Sequence, residues 1–250
     1  ANHHFFKWYG AFFRTVLRQF DHFFVQDEGS KKLLAGIGVT NAMVTGDSRF
    51  DRVIENSTAA KSNEIIEAFK AEKDLFIIGS SWPADEELLA TWINTVTYKI
   101  LIAPHQVDQK HIDQIASKIS RNCIRYSEAD SATIKSAEVL IIDCIGLLSS
   151  AYKYGSIAYI GGGFTGSLHN ILEPAVFGLP VIFGPMHSRF PEAQAFINGG
   201  FGFSISTASE FKIAVEKIKA DLSSISENER KFIESNAGAS ERILSFINSN

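Results

Sequence analysis

Short apolar runs recur along the chain, and several are apolar at consecutive rather than alternate positions. A strand wetted on one face alternates apolar and polar residues, whereas a strand covered on both faces need not. The runs 75–78, 100–103, 139–142, 157–160 and 180–183 therefore predict doubly covered strands, with a further strand over 202–205. Between and after them lie helical patterns over 85–95, 109–120, 147–154, 171–177, 191–197 and 209–222. This alternation predicts an α/β fold, a Rossmann-like doubly wound parallel sheet. Ahead of it come a long helix over 3–20, a strand over 22–26, a helix over 30–36 and a strand over 42–45. The polar, Ser/Asn-rich stretch within 51–61 marks a boundary. Residues 1–52 read as the tail of a preceding domain plus connector, 53–235 as the Rossmann-like domain, and 236–250 as a final helix packing back on the first part.

Composition excludes some classes. Apolar residues make up 45% and charged residues 21%, with a net charge of −4 and a pI near 6.0, so no basic excess points to a nucleic-acid partner. Cys123 and Cys144 form no CxxC pair and no disulfide framework; they read as buried strand residues in a reducing compartment. No stretch qualifies as a membrane span. The chain opens on alanine without the order of a signal peptide, as a piece of a longer protein would.

Open α/β sheets bind ligands beyond the carboxyl ends of their strands, so the residues after each run carry the functional reading. After 75–78 come Gly79, Ser80, Ser81, Trp82 and Pro83. A small turn before Pro83 predicts a tight helix start whose amides can hold an anion, or plain capping by Ser81. After 100–103 come Pro104 and His105. A histidine behind a proline at a strand end either donates to a phosphate or carboxylate or stands in solvent.

The strongest signal follows 157–160: Gly161, Gly162, Gly163 and Phe164, then His169, Asn170 and Glu173. Consecutive glycines let a ligand reach the backbone where a side chain would stand in the way. The helix expected over 171–177 aims its amino end at that turn, which suits a phosphate without a lysine or metal. Glu173 can accept from ribose hydroxyls; alternatively Asn170 and Glu173 are a capping pair that needs no ligand. The turn carries neither the lysine of a P-loop nor the glycine spacing of dinucleotide-binding folds. The loop 184–190 rims the same crevice.

Taken in order and spacing, these segments resemble the Kdo (3-deoxy-D-manno-octulosonate) transferases. The matching pieces are Phe5-Phe6-Lys7-Trp8-Tyr9-Gly10, the stretch 44–51, Gly79-Ser80-Ser81-Trp82, Pro104-His105, the stretch 158–164, His169-Asn170-Ile171-Leu172-Glu173 and the stretch 180–185. The resemblance covers nearly the whole chain and departs at Ser156, Thr165 and Ser167. It implies GT-B glycosyltransferase architecture, with this chain as the donor-binding domain plus a remnant of the amino-terminal domain. It implies CMP-Kdo as donor and a lipid A precursor as acceptor in lipopolysaccharide biosynthesis. The place of work it implies is the cytoplasmic face of the bacterial inner membrane. The implied transfer is inverting and uses no metal and no cofactor. Its general base is a glutamate of the amino-terminal domain, and no residue here matches it, so the chain alone is expected to be inactive. The donor-binding residues expected are Arg49, Ser80, Ser81, Pro104, His105, Gly161, Gly162, Gly163, Phe164, His169, Asn170 and Glu173. For Arg49 an exposed structural ion pair is the equal alternative.

Lys7, Arg14 and Arg18 share one face of the expected leading helix, and Phe6, Phe13 and Phe20 share another. Such a helix either lies on an anionic bilayer or is covered by the rest of the protein. Two other functions remain open: an isomerase of similar architecture, such as a UDP-sugar 2-epimerase, and a non-enzymatic nucleotide-binding module.

Overall fold

The computed structural model describes residues 3–130 and 132–249. In chain order the elements begin α1 (Ala11–Leu17), β1 (Phe23–Val25), α2 (Glu28–Ala35), β2 (Ala42–Val44), α3 (Ser48–Thr58) and α4 (Glu64–Lys70). There follow β3 (Leu75–Ser81), α5 (Pro83–Ile93), β4 (Lys99–Pro104), α6 (Gln109–Ser117), β5 (Cys123–Arg125), β6 (Val139–Ile141), α7 (Leu148–Ala151) and β7 (Ile157–Ile160). The chain continues through α8 (Leu172–Ala175), β8 (Val181–Phe183), α9 (Pro191–Gly199), β9 (Gly202–Ser204), α10 (Ala208–Ala220), α11 (Leu222–Ser235) and α12 (Ala239–Ser249). Contacts divide it into two compact units: residues up to Ile54 with those from Glu234 onward, and Glu55–Ile233.

The larger unit is built on a parallel seven-stranded sheet of order β5-β6-β4-β3-β7-β8-β9. The consecutive apolar residues of β3, β4, β6, β7 and β8 are buried almost without exception, as double coverage requires. On one face Phe76 packs edge-on to Trp92 at 4.7 Å and to Phe211 at 5.8 Å, joining the sheet to α5 and α10. From β3 the chain winds outward through β4, then returns across the sheet to place β7 on the other side of β3. This reversal puts the topological switch point between the carboxyl ends of β3 and β7, where such sheets leave a crevice.

Several sequence expectations change. The leading helix over 3–20 is broken: a 3₁₀ turn at His4–Phe6 is followed by the short α1. Gly10 sits at the break, where an added Cβ would lie 2.3 Å from the carbonyl oxygen of His4. Lys7 is thus off the helix, and Arg14 turns back to donate to the carbonyls of Phe5 and Lys7 at 3.2 and 3.1 Å, so the proposed basic face does not form. The stretch 51–61 is largely helical, because α3 buries Phe50 and Val53 on one face. The short edge strand β5 and the helix α11 had no matching apolar signal. The helix expected over 171–177 shrinks to the single turn of α8, with Pro174 inside it and Gly178 at φ 75° after it.

In the smaller unit β1 and β2 pair in parallel, and Leu34, Val39 and Ala42 form a small core. Asp51 accepts from the amides of Gly238 and Ser240, at 2.5 and 2.6 Å, at the start of α12. Burial pulls its pKa upward, but those amide bonds outweigh it and the net shift is downward.

Glu229 on α11 is the outlier of the larger unit. It is completely buried, and neither carboxylate oxygen has a partner among the described residues. Burial drives its pKa well above the usual carboxylate value, against the weaker pull of Arg230. The folded protein therefore holds the neutral acid. Below the unfolded pKa near 4.5 both states are protonated and the group is neutral to stability. As pH rises beyond it, only the unfolded state ionises, and stability falls by up to about 1.4 kcal/mol per pH unit until the folded pKa is passed. Glu229→Gln is expected to match the wild type in urea unfolding at pH 4 and to exceed it increasingly towards pH 8. Parallel stability curves for the two proteins would refute a neutral Glu229.

Candidate functional site

The site forms where β3, β4 and β7 end. At the end of β3 the pairing register with β4 shifts between Gly79 and Ser81, and Ser80 takes φ 52°. A non-glycine residue in that region is sparsely populated, and such strain gathers at functional sites. Ser81 is fully buried, and its hydroxyl donates to Glu86 Oε1 at 2.9 Å. Ser81 therefore does not cap α5, which corrects the capping reading, and its hydroxyl is committed to Glu86. Glu86 Oε2 also meets His111 Nε2 at 2.9 Å, and His111 Nδ1 contacts the Gln106 carbonyl at 3.0 Å. A carbonyl only accepts, so His111 Nδ1 carries a proton.

The cap of α5 is Trp82, with Pro83 at the first helical position, and Asp85 accepts from the Trp82 amide at 2.9 Å. Asp85 is almost wholly buried, and its carboxylate takes two further bonds, from the Tyr159 hydroxyl at 2.6 Å and the Gly162 amide at 3.1 Å. Burial and the adjacent Asp85 raise the Tyr159 pKa far above its usual value, so Tyr159 remains a donor. One carboxylate thus ties the start of α5 to β7 and to the glycine turn.

The three glycines are needed by the chain itself. An added Cβ would lie 2.2 Å from the Ser80 carbonyl oxygen at Gly161, 2.2 Å from the Ser167 carbonyl oxygen at Gly162, and 2.4 Å from the Gly184 nitrogen at Gly163. Gly162 also has φ 86°, which favours glycine. The space that the sequence reading left for a ligand at these three positions is taken by protein backbone. The Gly162 carbonyl accepts from the Thr165 and Ser167 amides, and the Gly163 carbonyl from the Met186 amide at 2.7 Å. The amides of Gly163, Phe164 and Asn170, in contrast, donate to no protein acceptor among the described residues. The Phe164 ring packs against the core cluster.

Asn170 and Glu173 pair with each other. Asn170 Nδ2 donates to Glu173 Oε1 at 3.1 Å, while Asn170 Oδ1 accepts from the Leu172 amide. The two residues do pair, but not as a capping box: the cap of α8 is Ile171, without a side-chain cap bond. Burial raises the Glu173 pKa, partly offset by the Asn170 amide. α8 is too short to carry a useful dipole, since the effect grows from aligned turns.

Aromatic rings complete the rim. Trp82 stacks on His105 with centroids 4.4 Å apart and planes 17° apart, and His105 lies 4.6 Å from His169. Trp82 Nε1 donates to His169 Nε2 at 3.2 Å. Pro104, buried at the end of β4, sets the exposed His105 beside Ser81, whose carbonyl accepts from the His105 amide at 2.9 Å. Arg49 belongs to the smaller unit, where it forms a two-pronged ion pair with Asp47 at 2.7–2.9 Å. Sequence reasoning gave no individual role to Trp82, Asp85 or Tyr159. A carboxylate three residues after Trp82, just past Pro83, is the capping signal that pointed to Asp85. Among the described residues no cluster of three His, Cys, Asp or Glu could hold a metal ion.

No family model matches the chain. A 3-deoxy-D-manno-octulosonic acid transferase of Rickettsia bellii is 26% identical over 253 residues, covering 95% of this chain and 59% of that protein. One from Chlamydophila psittaci is 27% identical over 220 residues, covering 80% and 49%. A bifunctional glycosyltransferase/methyltransferase of Fusobacterium nucleatum is 23% identical over 231 residues, covering 89% and 36%. The resemblance to the Kdo transferases stands. The chain spans about half the length of the curated relatives it matches. The crystal structure of the C-terminal CMP-Kdo binding domain of WaaA from Acinetobacter baumannii superposes with TM-score 0.57 at 20% identity, covering 72% of this chain and 97% of that one. Anabaena HepE in complex with UDP superposes with TM-score 0.54 at 10% identity, covering 94% and 66%. The fold is the doubly wound α/β fold of these structures, of the GT-B type.

Replacing Asp85 by alanine strands a buried amide, a buried phenol and a helix cap. Each unmade buried bond costs about 1–3 kcal/mol, so Asp85→Ala is expected to lose at least about 3 kcal/mol in urea unfolding. A loss under about 1 kcal/mol would show that water replaces the carboxylate.

Proposed function

We propose that this chain is the donor-binding part of a Kdo transferase, holding CMP-Kdo at the carboxyl ends of β3, β4 and β7 for transfer to a lipid A precursor. The observation that carries the reading is the set of unoccupied Gly163, Phe164 and Asn170 amides beside His105 and His169 at the switch point. The likeness to curated Kdo transferases and to a CMP-Kdo binding domain supports the choice of nucleotide sugar.

In this reading CMP is the leaving group of an inverting displacement, and negative charge builds on its phosphate as the glycosidic bond breaks. Fixed N–H donors stabilise such charge without reorganising, typically by about 3–4 kcal/mol for one donor. The amides of Gly163, Phe164 and Asn170 and the imidazoles of His105 and His169 supply them. The Gly162 amide is committed to Asp85 and the Ser81 hydroxyl to Glu86, so neither takes part. Glu173, held by Asn170, orients the ribose. Arg49 takes no assigned role in donor binding. The base that deprotonates the acceptor hydroxyl comes from outside these residues. No metal is required for the transfer.

Thermal shift separates this reading from a uridine-nucleotide isomerase, which the fold shared with HepE keeps in view. With a Kd on the order of 0.1 mM, 1 mM CMP adds about 1.4 kcal/mol and raises the melting temperature by about 4 °C. Glu173→Ala is expected to bind CMP several-fold more weakly by calorimetry. A larger shift with UDP than with CMP would overturn the cytidine assignment.

The smaller unit exposes Trp8 at 90% and Phe12 at 74%. No helix of the described residues is long and apolar enough to cross a membrane. We assign these rings to peripheral contact with the cytoplasmic face of the inner membrane, Lys7 and Arg18 adding charge attraction to its anionic lipid. The chain is expected to float with phosphatidylglycerol vesicles at low salt, and Trp8→Ser with Phe12→Ser to abolish flotation. Failure of the wild type to float would assign the patch to protein cover instead.

A further inference from the structure

His169 stands at the centre of the site with one ring nitrogen already engaged. The donor to its Nε2 is the indole N–H of Trp82, at 3.2 Å. An indole N–H can only donate, so Nε2 must be an unprotonated acceptor. The neutral imidazole then carries its proton on Nδ1, because the partner of one nitrogen decides the state of the other. The bond to Trp82 is the one that the ring makes to protein among the described residues, which leaves Nδ1 for a ligand or solvent. Trp82 is itself held in place twice over. Its backbone amide is bound by Asp85 at 2.9 Å, and its ring is covered by His105 at 4.4 Å. Its position is thus set by the same carboxylate that fixes the glycine turn.

We propose that Trp82 is a positioning residue that locks His169 as a neutral Nδ1–H donor for the anionic group of the bound nucleotide sugar. The inference rests on the donor-site reading above and adds the tautomer, the bond that sets it and its consequence for pH. A cationic imidazole cannot accept from the indole, so protonating His169 breaks the bond to Trp82. Burial and the neighbouring His105 lower the His169 pKa, against the opposing pull of Asp85, consistent with a ring kept neutral. A neutral donor needs no proton from solvent, so its contribution to binding persists at neutral pH, where an ordinary histidine has largely lost its charge. Lowering the pH sets two effects against each other: an added charge attracts the anion, while the lost indole bond frees the ring to turn.

Two measurements on the chain separate the tautomer from the ligand. Long-range proton–nitrogen NMR of the free protein reads the tautomer directly. The wild type is expected to show Nδ1 protonated and Nε2 bare for His169, and Trp82→Phe, which keeps an aromatic ring but no N–H, to lose that preference. Calorimetry with CMP reads the consequence. Trp82→Phe is expected to weaken CMP by about fivefold to tenfold at pH 7.5, the scale of one hydrogen bond. It is also expected to recover affinity below pH 6.5 as the freed ring protonates. A second pair of variants guards against a misfolded Trp82→Phe protein. The amide nitrogen of asparagine takes the place of Nδ1 and that of glutamine the place of Nε2. His169→Asn is therefore expected to keep CMP affinity within about threefold, while His169→Gln falls by about tenfold. An Nε2–H tautomer in the wild type, or glutamine outperforming asparagine, would overturn the proposal. A wild type with the Nδ1–H tautomer that shows no CMP binding would instead sink the donor-site reading.

Discussion

The crevice depends on one buried carboxylate. Asp85 accepts from the Trp82 amide, the Tyr159 hydroxyl and the Gly162 amide, three donors from the start of α5, the strand β7 and the glycine turn. A carboxylate removed from water is tolerated only when its oxygens are filled, and here they are. The cost of leaving such groups unpaired makes the arrangement all or nothing: if one partner moves, the others are stranded in a low-dielectric setting. Gly161 makes the approach possible, because a Cβ there would lie 2.8 Å from Asp85 Oδ2 and nearer still to the Ser80 carbonyl. The strained backbone of Ser80 and the bare backbone of Gly161 are two halves of one contact, and Asp85 binds the residues next along the chain, Trp82 and Gly162.

The sheet was legible because its inner strands are covered on both faces. Apolar residues at consecutive positions leave no other comfortable place for β3, β4, β7 and β8, and each formed where the pattern put it. Legibility fails where that pressure is absent. β5 is an edge strand of Cys123, Ile124 and Arg125, all half-buried, and nothing in three such residues separates strand from loop. The leading segment fails for the opposite reason. Its aromatics satisfy a helical period over 3–20, yet Gly10 is pressed against the His4 carbonyl, and that contact between residues six apart breaks the run.

At the strand ends, which segments meet was readable and what their polar groups bond was not. The rule that ligands gather beyond strand ends directed attention to the segments after β3, β4 and β7, and those segments do converge. What each polar group does there depends on partners distant in sequence. The Ser81 hydroxyl is taken by Glu86, and the Gly162 amide by a carboxylate 77 residues away, neither of which a local window can show. That Asn170 and Glu173 pair was readable because both lie within one turn, although the bond joins their side chains and does not cap α8. Trp82 drew attention only as part of a motif. Its indole matters through His169, 87 residues on, a distance only the folded sheet closes.

A glycine-rich turn beside a strand end invites the conclusion that the missing side chains make room for a ligand. In this chain the room is filled by backbone: the Ser80 carbonyl, the Ser167 carbonyl and the Gly184 nitrogen occupy the three spaces. That packing has a directional consequence. The Gly162 and Gly163 carbonyls accept from Thr165, Ser167 and Met186, while the amides of Gly163, Phe164 and Asn170 have no protein acceptor among the described residues. Backbone N–H groups left without a protein acceptor on such a turn suit an anion, whatever the length of the helix behind it. The donors that the turn offers therefore come from how the glycines pack and not from the dipole of the one-turn α8. The same close packing that denies a ligand the space of three side chains leaves it the hydrogen-bond donors.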